Sequence, residues 1–145
     1  MKRVLCGLAA GVVSLAAAAQ SPVGLWKTID DTTKKERSYV RITEANGVLG
    51  GQLERLIDTP NADKLVCDKC TDDRKDKPLV GLPIIRGVKQ NADEPTRWDG
   101  GTILDPAKGK TYRSKATLLD GGNKLEVRGY IGIEALGRSQ TWVRQ

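Results

Sequence analysis

From Gly24 onward the chain runs in short stretches of alternating apolar and polar residues, each ended by glycine, proline, asparagine or aspartate. That period of two is the side-chain period of a β-strand, and no stretch shows the 3.6-residue period of an amphipathic helix. Lys124 to Ile131 carries it most cleanly. Leu125, Val127, Gly129 and Ile131 fall on one face, and Lys124, Glu126, Arg128 and Tyr130 on the other. Strands are expected around Leu25–Ile29, Ser38–Glu44, Val48–Leu56, Leu82–Lys89, Arg97–Leu104, Lys110–Leu118, Lys124–Ile131 and Arg138–Arg144. Asn46-Gly47 marks a tight hairpin, because both positions accept positive φ. Gly50-Gly51 and Gly100-Gly101 interrupt strands where a bulge or bend is needed. Gly132 to Gly137 reads as a link with room for one helical turn. About eight antiparallel strands in one domain fit an all-β fold, a small barrel whose closure removes the exposed sheet edges. A β-sandwich is the alternative with the same strand count.

The first residues have a different character. Lys2 and Arg3 precede an apolar run from Val4 to Leu15, and Ala17-Ala18-Ala19 offers a small-residue cleavage site. This is the layout of a secretory signal peptide over residues 1–19. The apolar run is short of the ~20 residues that span a bilayer. Cys6 lies inside the run and away from the cleavage point, unlike the lipidated cysteine of a lipoprotein. Residues 20–145 are then a single exported domain, periplasmic or secreted, with no stable membrane insertion after cleavage. The whole chain carries a net charge of +6, and loss of Lys2 and Arg3 lowers it by two. The remaining charges are interspersed, as in Asp72-Asp73-Arg74-Lys75-Asp76-Lys77. Nucleic-acid binding calls for a one-signed patch with aromatics, so no nucleic-acid partner is expected.

Gly24-x-Trp26 on a first strand with seven more to follow resembles the lipocalin and avidin-like (calycin) barrels. The segments "GLWKT", "GGQLERLID", "CDKCTDDRKDKPLVGLPIIRG", "WDGGTILDPAKGKTYRSK", "LEVRGYIG" and "LGRSQTWVR" together resemble the exported bacterial family known as domain of unknown function, number 2147. The resemblance spans Gly24 to Arg144 and implies an exported lipocalin-like barrel. It implies no catalytic residue. It also implies closure of one barrel end by Gly24 and Trp26, with a basic residue of the last strand, Arg138 or Arg144, packed across the indole.

The sharpest chemical feature is Cys67-Asp68-Lys69-Cys70, in the long polar segment from Ile57 to Lys77. An exchange-active pair needs a depressed thiol pKa, usually from a helix N-terminus or nearby cations. Here Thr71-Asp72-Asp73 follows and no helix pattern does. In an exported chain a disulfide that tightens the loop is favoured, with a redox accessory role as the alternative. Zinc would need four N, S or O ligands. The chain has no histidine and one mature cysteine pair, so no metal and no cofactor is expected. Gly109-Lys110-Thr111 lacks the earlier glycine of a phosphate-binding loop, since position 104 is Leu104, and it reads as a hairpin turn. The adjacent acids Asp30-Asp31, Asp72-Asp73 and Asp93-Glu94 sit at turns, where solvated carboxylates are ordinary.

No catalytic constellation emerges, and a non-catalytic protein is expected. A small apolar or amphipathic molecule held in the barrel is the leading expectation. Trp98, Tyr112, Arg128 and Tyr130 are the candidates to line its mouth. The alternative is an envelope structural or interaction protein with a filled barrel.

Overall fold

The computed structural model describes residues 20–145, together with Gly7 and Gly11. The signal-peptide expectation for residues 1–19 otherwise lies outside the described residues.

Eight strands follow in order: β1 Gly24–Ile29, β2 Glu36–Ala45, β3 Val48–Leu56, β4 Pro83–Gln90, β5 Arg97–Asp105, β6 Lys110–Leu119, β7 Lys124–Tyr130 and β8 Arg138–Arg144. Each pairs antiparallel with its chain neighbours, and β8 returns to β1 to close the barrel. The closing seam is short, pairing Trp26 with Arg144 and Lys27 with Val143. The sandwich alternative is thereby set aside. The link expected to hold one helical turn contains a short 3-10 turn at Glu134–Leu136.

Alternation decides which side chains enter the barrel. Trp26 and Thr28 of β1, Val40 and Ile42 of β2, and Leu49 and Leu53 of β3 are buried on the inner face. Ser114, Ala116 and Leu118 of β6 and Leu125 and Val127 of β7 continue it. Trp142 of β8 faces Leu125 across the pair. Burying an aliphatic or aromatic side chain here contributes about 1.5–3 kcal/mol each. The one buried polar pair is satisfied internally: Thr28 Oγ1 and Ser38 Oγ lie 2.7 Å apart.

The hairpin connections alternate between two ends. The β2–β3, β4–β5 and β6–β7 turns share one end with residues 20–23. The β1–β2, β3–β4, β5–β6 and β7–β8 links share the other. The first end is plugged; at the second, the open end, the inward side chains of Leu56 and Tyr112 are only partly buried. The β3–β4 link, residues 57–82, is the largest insertion in the fold. It covers part of the outer wall, where Leu82, Ile84 and Leu104 are buried.

Candidate functional site

At the plugged end, Arg144 lies over Trp26, its guanidinium carbon 4.4 Å from the ring centroid. Arg144 Nε donates to the Gly122 carbonyl at 2.7 Å, and its two terminal nitrogens donate to Val23 (2.9 Å) and Ser21 (2.6 Å). The indole Nε1 of Trp26 donates to the Pro22 carbonyl at 2.7 Å. Gly24 is required beside this plug. Its φ is +139°, and a Cβ there would lie 2.9 Å from an Arg144 nitrogen. Of the two candidates expected here, Arg144 takes this place and Arg138 does not. Arg138 has the same strand parity but starts β8, six residues or about 20 Å from Arg144. It instead grips Asp31 at 3.0–3.3 Å and Thr32 Oγ1 at 3.0 Å.

The four residues expected at the barrel mouth separate in the structure. Tyr112 faces inward at the open end of β6 and is half-buried. Trp98 faces inward too, but at the start of β5 and deep in the core. Arg128 and Tyr130 point outward, because the buried residues of β7 are Leu125 and Val127. Arg128 serves the β7–β8 link there, donating to the Glu134 carbonyl (2.9 Å), the Gly137 carbonyl (3.1 Å) and Ser139 Oγ (2.8 Å). The four residues therefore do not line one mouth, and of them only Tyr112 faces inward at the open end.

The residues that accompany Tyr112 escaped the sequence reading. Ile103 pairs directly with it across β5 and β6 and is only partly buried. Leu56 ends β3 in the same partly buried state. Gln140 faces inward on β8 and accepts a 3.1 Å hydrogen bond from Trp142 Nε1. Gly129 leaves room before them: a Cβ there would meet Tyr112 Cβ at 3.3 Å and Ile103 Cγ2 at 3.4 Å. Along the inner wall burial is complete at the base and falls off toward the open end, where Leu56, Ile103 and Tyr112 are only partly buried. At the same end the β7–β8 link holds Ile131, Ile133 and Leu136, 62–77% exposed.

Cys67 and Cys70 form a disulfide, and both residues are buried. Among the described residues no group of three or more His, Cys, Asp or Glu side chains is placed to hold a metal ion. No helix of the described residues is long and apolar enough to cross a membrane. Two surface cavities lie outside the barrel wall. One of about 340 Å³ lies between the long β3–β4 link and β4. Another of about 260 Å³ follows the outer side of the β1–β8 seam, by Ile29, Lys124 and Val143.

An eight-stranded closed antiparallel barrel with one end plugged by a tryptophan–arginine pair is a lipocalin-type fold. Among solved structures, the chain is similar to one described as "Protein HP1028 from the human pathogen Helicobacter pylori belongs to the lipocalin family". The TM-score is 0.73 and the identity 20%, over 86% of this chain and 83% of that one. The chain belongs to the family described as "Uncharacterized protein conserved in bacteria (DUF2147)", which matches residues 24–144. Comparison with curated proteins gives no match.

Proposed function

We propose that this protein is an exported, non-catalytic carrier that takes a small apolar or amphipathic molecule into an apolar cup formed around Leu56, Ile103 and Tyr112 at the open end of the barrel. The observation that carries this reading is the gradient along the inner wall. Its base is filled by Trp26, Trp142 and Leu125, whereas Leu56, Ile103 and Tyr112 above remain partly exposed. Apolar walls with a few placed polar groups are what a small-molecule site requires, and Gln140 supplies such a group. The exposed aliphatic side chains of the β7–β8 link would cover the part of a ligand that protrudes. The lipocalin-type fold and the signal-like first residues are consistent with an exported binding protein. Burial of both sulfurs argues against thiol exchange, which needs an accessible, low-pKa cysteine.

The test is titration with the neutral fluorescent probe N-phenyl-1-naphthylamine. The native protein should enhance its emission, and Ile103→Trp, which fills the cup, should weaken binding by about tenfold or more. Absence of enhancement, or enhancement unaffected by Ile103→Trp, would favour the filled-barrel interaction protein instead.

A further inference from the structure

The cavity of about 340 Å³ outside the barrel is unrelated to the cup, and its walls have a definite chemistry. Pro78, Val80, Leu82 and Pro83 give it an apolar floor, and Arg86 and Lys77 supply cations. It is an open groove on the surface. We infer that this cleft is a second ligand site, which takes a small monocarboxylate with an apolar chain.

The anion position is marked by the protein itself. The two terminal nitrogens of Arg86 each donate at 2.9 Å to one oxygen of Asp73, a parallel two-bond fork. The Asp73 side chain is 67% exposed, so it can leave the fork for water. A ligand carboxylate has the same shape and charge and would take the place of this exposed lining side chain in the fork. The neighbouring Arg74 is not available for this exchange. It is buried, bound by Asp72 at 2.6 Å, and donates to the Pro83 carbonyl at 2.8 Å. Lys77 also lines the cleft and forms no ion pair among the described residues. Asp72 and Asp73 thus offset Arg74 and Arg86, and Lys77 leaves the cleft one positive charge in excess.

The site is also built in advance. Pro78 and Pro83 fix φ on both sides of the floor. Cys67 N–H donates to the Lys77 carbonyl and Asp76 N–H to the Cys67 carbonyl, both at 2.8 Å. Val66 bridges to Pro78. The disulfide loop thus holds the segment that carries Asp73, Arg74 and Lys77. Ordering that precedes binding lowers the entropy a ligand must lose.

The experiment is isothermal titration with octanoate and with uncharged octanamide, on the native protein and on Arg86→Gln, Asp73→Asn and Ile103→Trp. Circular dichroism checks that each variant is folded. Octanoate should bind the native protein, weaken about tenfold in Arg86→Gln, and tighten several-fold in Asp73→Asn, which removes the internal competitor. Octanamide should bind less tightly and ignore the Arg86 change. Ile103→Trp should leave the Arg86-dependent part of octanoate binding unchanged, since it alters only the cup. Failure of octanoate to bind, or equal affinity for native protein and Arg86→Gln, overturns the second site. Loss of octanoate binding in Ile103→Trp alone also overturns it, and places the anion in the barrel.

Discussion

Arg144 covers the face of Trp26 at 4.4 Å while its three nitrogens hold the backbone of Ser21, Val23 and Gly122. One side chain from the end of β8 therefore fixes the segment before β1 and the β6–β7 turn, and stacks on the plug. Arg144→Ala leaves three carbonyls without this donor and removes the stacked cation. Urea unfolding should show a loss of about 2–3 kcal/mol. Arg144→Lys keeps the charge without the planar fork, and about half of that loss should remain. Equal stability of Arg144→Ala and the native protein would show that the plug does not need the arginine.

Acid should weaken the fold through three carboxylates of the same sign. Hydrogen bonds from the Arg74 side chain and backbone lower the pKa of Asp72 to about 2 from 3.8. The Arg86 guanidinium lowers that of Asp73. Backbone N–H groups of Thr33 and Thr32 lower that of Asp30. A carboxylate depressed in the folded state contributes stability above its unfolded pKa and loses it as the pH falls through the folded one. The melting temperature should therefore hold down to about pH 4 and fall steadily toward pH 2. In Asp72→Asn that fall should be shallower, and at neutral pH the variant should already melt lower than the native protein.

The Cys67–Cys70 disulfide closes a very small loop, so its entropic contribution is modest, about 2 kcal/mol. Both residues are buried within the long link, where Cys67 Sγ lies 3.9 Å from the Pro106 carbonyl oxygen of the β5–β6 turn. A thiol-labelling assay under native conditions with dithiothreitol should find neither sulfur free, and denaturant should expose both. The double variant Cys67→Ser, Cys70→Ser should keep the far-ultraviolet β signal and lose about 2 kcal/mol in urea. Rapid native-state reduction would revive the redox reading.

The strands were legible because each buries one face only. Lys124 to Tyr130 shows its buried Leu125 and Val127 directly in its alternation, and the Asn46-Gly47 turn appears where β2 meets β3. Arg128 and Tyr130 were readable as outward-facing by the same rule. Chemical type suggested them for the mouth, and parity overrules type. Parity in turn could not rank depth. Arg138 and Arg144, or Trp98 and Tyr112, share the inner face, and only the pairing register places them at opposite ends. Ile103 was hidden because an aliphatic residue looks the same as core or as ligand wall. The cleft beside Arg86 depends on how residues 57–82 fold back on β4, a non-periodic segment with no strand or helix pattern to read.

Gly101 makes the most stringent demand of any residue in the barrel wall. A Cβ there would overlap the Arg86 carbonyl and sit 2.6 Å from the Gly87 carbonyl carbon and 2.7 Å from Val88 Cγ2. These are mostly backbone atoms of β4, which cannot rotate away as a side chain can. Its neighbour Gly100 is a useful contrast: φ is +82°, but nothing lies within 4 Å of a Cβ added there. Gly100→Ala should cost only the left-handed strain of an L-residue, about 1–2 kcal/mol. Gly101→Ala must push β4 and β5 apart and should cost about 3 kcal/mol or more. Urea unfolding of the two variants side by side checks this order. A smaller loss for Gly101→Ala than for Gly100→Ala would mean that the two strands do not approach each other this closely.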